Sequence, residues 1–472
     1  MSSKIFFSIF ATTLAATLFA NVWLAWPGSA LSYLLFSFAF SALLIIGITR
    51  RPSVGYLLLS VVLWIGFWLK LTLHMIYGTI NEASKWVEPI GHFDFSIAAW
   101  DDVALVSSVG ALAVLCAGLF WRRRIDNYSW QIGENIVWYT PGMRILGWVI
   151  VLAATALVVV LNEVFHIFHA GLRPALDMPW PLQGLFAWSV SVGIVLGAMI
   201  LIHLDIRANR PLWLSIALFI AVSSALSITI FSRGTLVLHS LPFLVALILF
   251  RGHIPWLNRR RLMAIMAMFV CGTLLIVSVS EQRRANQLPQ YAEESGGKIT
   301  ATDVASLLRR LSVHRWTGLE GVMAVSAYPG KGKDLMIFAA KERRGKDHVD
   351  LYTGDVSQSG FQDTSKYHYA TFPGVFAFFY YSGSLLIMFV GTVILTTVVI
   401  AVEHAIRQVT QNPILAAQVG SYAVMVLAVQ LGAGGLIQPA SVLAFTVAVA
   451  LTLGLLVRHR MPPLRVSLGP LR

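Results

Sequence analysis

Arg283, Arg284, Arg309, Arg310 and Arg315 fall within one hydrophilic stretch, residues 282–371, together with His314 and Glu320. Guanidinium groups are planar forks that grip phosphate oxygens two at a time, so such a set suits a polyanion. A histidine or carboxylate beside them adds proton transfer, since either can take the proton of an attacking hydroxyl. Together they are the ingredients for moving a group off a phosphate. A plainer arrangement fits the same residues. Val304, Leu307, Leu308 and Leu311 recur at i, i+3, i+4 and i+7, which predicts a helix lying on a membrane with snorkelling arginines. Continued, that helix brings Arg310, His314 and Thr317 to another face. The gathering of arginine with His314 and Glu320 favours the chemical reading.

Arg233 is an independent signal. In Ser232-Arg233-Gly234 it stands in a tight turn between two apolar runs. A charge at membrane depth faces a protein interior or a polar cavity, unless it snorkels to the interface. Lys70 and His74, one turn apart, are open to the same two readings. His239, two turns beyond Arg233, reads as a core histidine. Glu163, His166 and His169 stand at i, i+3 and i+6, as in part of a metal site. Carboxylate-bridged metal bundles need matching motifs on other helices, and the remaining histidines are scattered, so a structural or interfacial role is expected. P-loop, G-x-G-x-x-G and G-x-S-x-G patterns are missing from the sequence.

The elements that must position these residues are membrane helices. Of 472 residues 57% are hydrophobic and 12% charged, far more apolar material than a soluble core uses. Crossing the hydrocarbon takes about 20 apolar residues, because the backbone must satisfy its own hydrogen bonds. Such runs predict an all-α integral membrane protein with about twelve spans: 5–26, 30–48, 54–76, 100–121, 145–166, 183–203, 212–232, 234–250, 262–280, 372–402, 413–435 and 440–457. The tenth starts as an interfacial stretch at Phe372-Pro373-Gly374. The first is read as an uncleaved helix rather than a signal peptide, being long and followed directly by further spans. Cys116 and Cys271 lie in apolar runs and read as small core residues.

Alternate connections carry the basic residues, among them Arg50, Arg51, Arg122–Arg124, Arg144, Arg207, Arg210, Arg251, Arg259–Arg261, Arg407 and Arg458. The positive-inside rule then puts both termini in the cytoplasm. Much of the formal net charge of +13 is this orientation signal, and it calls for no nucleic acid. The chain divides into spans one to nine (1–281), a large, partly helical periplasmic loop carrying the candidate site (282–371), and spans ten to twelve with a cytoplasmic tail (372–472). Inner loops are too short for a catalytic domain. Any chemistry must therefore act on an already activated, lipid-embedded substrate at the outer face.

A many-span layout, a Ser-Arg-Gly turn at 232–234 and one Arg-rich outer loop resemble the Wzy-type polymerases, which join oligosaccharide repeat units in bacterial O-antigen and exopolysaccharide pathways. The segment after the loop is similar too: Phe372-Pro373-Gly374, then Phe379-Tyr380-Tyr381-Ser382-Gly383, then Gly391. The resemblance covers about 232–391. It implies a C-type glycosyltransferase-like fold in the bacterial inner membrane and polyprenyl-diphosphate-linked glycan substrates. It also implies a chain-length-regulating co-polymerase as partner, and no nucleotide sugar, metal or other cofactor. On this scheme Arg233 contacts the diphosphate, with Arg283, Arg284, Arg309, Arg310 and Arg315 as the pool for a second contact. His314 or Glu320 is the base, and Trp316, Tyr367 and Tyr369 stack on sugars. Two rivals use the same layout: a ligase that moves finished glycan to lipid A core or protein, and a transporter without catalysis. The absence of an internal repeat weighs against the transporter.

Overall fold

Short capping sequences set the helix starts. Ser53 accepts the Tyr56 N–H at 3.0 Å, Thr140 precedes Pro141 and accepts from Met143 at 3.3 Å, and Asn412 precedes Pro413 and accepts from Ile414 and Leu415 at 3.1 and 3.0 Å. Each cap satisfies donors that a bilayer would otherwise leave dry. Helix ends at His166 and Gln411 turn left-handed, with φ of 49° and 54°. A computed structural model describes residues 25–50, 53–86, 88–125, 136, 138–179, 181–250, 254, 257–287, 318–343, 348–359, 363, 372–432 and 435–459. Among these the chain is all-helical.

In order the helices are α1 (Ala30–Arg50), α2 (Val54–Ile76), α3 (Ile97–Ile125), α4 (Pro141–Phe165), α5 (Leu182–Arg207), α6 (Trp213–Thr229), α7 (Arg233–Phe250) and α8 (Arg259–Gln287). After them come the short helices α9 (Leu319–Ala327), α10 (Lys333–Lys341) and α11 (Gly374–Tyr380), then α12 (Leu385–Thr410), α13 (Pro413–Val429) and α14 (Ile437–His459). Eight of these described helices are long and apolar enough to cross a membrane: α1 to α5, α8, α12 and α14. α6, α7 and α13 are shorter apolar helices. Most of the expected first span, 5–26, lies outside the described residues. The expected tenth span is corrected: 372–402 is not one segment. Gly383, at φ 67°, sits in a turn that separates the short α11 from α12, which runs on to Thr410.

Outward faces are apolar. Leu386 is 72% exposed, with Val390 and Ile394 following at helical spacing along α12, as a lipid-facing stripe requires. Cys116 and Cys271 also face outward, which corrects their reading as core residues. Inside, hydroxyls bond to the carbonyl one turn back, as with Ser60 to Tyr56 at 2.8 Å and Thr155 to Val151 at 2.8 Å, which satisfies them within their own helix.

Two helix groups share this interior. One joins α1, α2, α3 and α12, capped by α9 and α11; the other joins α4 to α8. α13 lies between them, packed on α2, α5, α7 and α12. At the Arg-rich end, Asp205 accepts from Tyr139 at 3.1 Å and pairs with Arg144 at 3.1 Å, tying α4 to α5. Glu403 accepts the Val54 and Gly55 N–H groups at 2.8 and 2.7 Å, fastening α12 to the start of α2. These locks leave the opposite end, where α2 finishes and α9 sits, to carry the site.

Candidate functional site

Glu320 is the second residue of α9, in the run Gly318-Leu319-Glu320-Gly321. The glycines are required by close approach. A side chain on Gly318 would overlap the Phe67 ring of α2, and one on Gly321 would overlap the Pro373 carbonyl oxygen. α9 is thus wedged between α2 and the Pro373-Gly374 start of α11, and Leu319 to Val325 are all buried. We expect Gly321→Ala to push α9 off this seat, at a cost of about 1–3 kcal/mol in stability, read as a lowered unfolding temperature of the detergent-solubilised protein. An unchanged temperature would show that α9 does not need that contact.

From the other side α2 contributes Lys70. Its helix carries a π segment at Ile65–Leu69, directly before Lys70. One extra residue in a turn rotates everything after it by about 100°, and such insertions concentrate at functional sites. Lys70 Nζ then meets Glu320 Oε1 in an ion pair whose side chains are 0% and 1% exposed. Glu320 Oε2 has no hydrogen-bond partner among the described residues.

Acidic and phenolic groups surround the pair. Tyr352 opens a π turn over Tyr352–Val356 and is completely buried, its hydroxyl without a hydrogen-bond partner among the described residues. Burial pushes its phenol well above the usual value, and the neighbouring Glu88, Tyr381, Glu320 and Asp350 push the same way, so the hydroxyl stays neutral. Tyr381, just past α11, is buried and raised in the same manner, with Asp350, Glu342 and Tyr328 nearby. Glu342 and Asp350 hold this turn. Glu342 Oε1 accepts from Leu351 at 2.8 Å and His348 at 3.0 Å, while Asp350 accepts from Thr353 N and Oγ1 at 3.0 and 2.8 Å. Burial raises the Glu342 carboxyl despite those two donors.

A second cluster belongs to the other helix group. Arg283 of α8 pairs with Glu163 of α4 at 2.7 Å, and Thr229 adds a hydrogen bond to the same oxygen at 3.0 Å. The Arg283 guanidinium, offered by the sequence to a diphosphate, is thereby engaged by a carboxylate. His169 stacks on Phe231 at 4.5 Å, and burial drops it to about 4. A depressed histidine stays neutral when folded and takes up a proton on unfolding once the pH is below about 6.5. Stability at this site is therefore full above pH 6.5 and lost as pH falls toward 4. Glu163, His166 and His169 form no metal set, and no group of three such ligands occurs among the described residues. We expect His169→Phe to flatten the stability loss between pH 6.5 and 4, measured as unfolding temperature against pH. An unaltered slope would remove His169 from that role.

The structure thus unites Glu320 with Lys70. Arg233 begins α7 just after the left-handed Phe231 (φ 54°). Arg284 lies in the last turns of α8. Their side chains lie outside the described residues, as do Arg309, Arg310, His314, Arg315, Trp316, Tyr367 and Tyr369. His239 is a core histidine bonded to the Ser191 carbonyl at 2.9 Å. Sequence reasoning missed Tyr352 and gave Tyr381 no role, although Tyr381 stands inside the Tyr-Tyr-Ser-Gly motif. Compared with protein-family models, curated proteins and solved structures, the chain matches none.

Proposed function

We propose that this chain polymerises polyprenyl-diphosphate-linked oligosaccharide repeat units at the periplasmic face of the bacterial inner membrane. The observation that carries this reading is Glu320, a candidate base in the sequence, buried on a short helix at one end of a membrane bundle with one carboxylate oxygen unpartnered among the described residues. A proton acceptor in a water-poor site suits a sugar hydroxyl as nucleophile. The hydroxyl proton passes to Glu320 while its oxygen attacks the anomeric carbon of the growing glycan. The anomeric C–O bond breaks, and its electron pair leaves on the lipid diphosphate. Arg233 and the arginines of 282–371 stabilise that developing charge.

Purified protein in liposomes with lipid-linked repeat units as the only substrate tests this. Elongated lipid-linked product is expected. Cells lacking the chain should accumulate single lipid-linked units, whereas long glycan stranded on the polyprenyl carrier would identify a ligase. Movement of units across the bilayer without elongation would identify a transporter.

A further inference from the structure

We infer that Lys70 is the positioning residue of this site: it holds the Glu320 carboxylate by Oε1 in a dry interior and leaves Oε2 as the oxygen that receives the acceptor proton. The inference rests on the proposed glycosyl transfer. It starts from a cost. A lone carboxylate at 1% exposure would take up a proton rather than stay charged, because burial without a partner is far more expensive than neutralisation. A protonated Glu320 cannot accept another proton. Lys70, at 0% exposure and held by the π segment before it, is the cation that removes the difficulty. It contacts Oε1. Oε2 has no partner among the described residues, which is unusual for a buried polar atom and leaves its capacity to accept a proton unused.

Other groups around Glu320 do not replace Lys70. His74, one turn further along α2, bonds to Thr79 at 3.0 Å and stacks on Trp86 at 3.9 Å. On α3, Asp101 is taken by Ser29 and Ser32, and Asp102 accepts from Tyr380 at 3.2 Å. Glu88, Asp350, Tyr352 and Tyr381 contribute acidic or phenolic groups. Lys331 is bonded to the Ser326 carbonyl and lies over the Tyr380 ring, so among the described residues Lys70 is the cation that meets Glu320.

Elongation by the reconstituted full chain, measured from pH 5.5 to 9.5, tests this. For Lys70→Met we expect the acid limb of kcat/KM to move upward far enough that activity falls at least tenfold at neutral pH and recovers toward pH 9. Lys70→Arg keeps a cation and is expected to keep the limb within about half a unit. The charge-reversed double variant Lys70→Glu with Glu320→Lys restores an ion pair and is expected to regain the wild-type unfolding temperature without regaining elongation. An unmoved limb in Lys70→Met would overturn the inference, as would elongation by the charge-reversed variant. Should Lys70→Met fail to fold, the charge-reversed variant and Lys70→Arg decide the matter. Wild-type protein that elongates nothing overturns the polymerase reading itself, a failure seen before any variant is compared.

Discussion

Glu320→Gln should lose elongation by at least about a hundredfold at every pH, the low end of what a positioned general base contributes. Glutamine keeps the shape of the side chain and removes the ability to take a proton. The experiment needs one safeguard, because the change also leaves Lys70 as an uncompensated buried cation. Breaking one side of a buried pair costs about 3–5 kcal/mol, enough to unfold a marginal protein. The double variant Lys70→Met with Glu320→Gln removes both charges together. Apolar or neutral replacements of a whole buried pair are close to neutral in stability. We therefore expect the double variant to regain most of the lost unfolding temperature while remaining inactive. Active double-variant protein would remove Glu320 from the chemistry and leave the pair as a structural rivet.

How much of this was legible beforehand follows from the physics of each signal. Helices buried against lipid announce themselves by length and hydropathy, so α2, α4 and α5 lie within a few residues of the spans read from the sequence. The break at Ser382–Ser384 escaped because the flanking residues are apolar, and hydropathy does not register a turn. Glu320 was picked out as a proton acceptor for its company of arginines, yet what the structure adds is Lys70, about 250 residues away in sequence and recognisable there only as a charge in an apolar run. No local pattern encodes such a pairing. Tyr352 was hidden for the opposite reason: His348-Val349-Asp350-Leu351-Tyr352-Thr353-Gly354 is a polar sequence that reads as a solvated loop. It is buried because Glu342 and Asp350 satisfy its backbone donors from within. Arg283 shows the converse, named in the sequence for a diphosphate and found engaging Glu163, for which a structural or interfacial role was expected.

Arg315→Ala is the second substitution with a large expected effect, and chain geometry selects Arg315 from the arginine pool. It stands five residues before Glu320, and five residues of extended chain span at most about 17 Å. Arg309 and Arg310 carry no comparably tight bound, and Arg283 already holds Glu163. Departure of a diphosphate concentrates charge on oxygens in a site where water is scarce, so a preorganised donor there is worth about a hundred- to a thousandfold in rate. We expect Arg315→Ala to lose elongation by that factor with membrane level and unfolding temperature unchanged. Arg233→Ala should behave the same way if the turn after Phe231 supplies the other half of the clamp. Arg315→Lys separates charge from shape: a lysine restores the cation but not the two-pronged grip, so a partial recovery of about tenfold is expected. The check is the rate of lipid-linked product growth at saturating repeat unit, since a donor acting on the leaving diphosphate lowers kcat and not merely affinity. If both alanine variants make polymer at the wild-type rate, diphosphate departure is not assisted from these positions, and the arginines of 282–371 revert to anchoring a helix on the membrane.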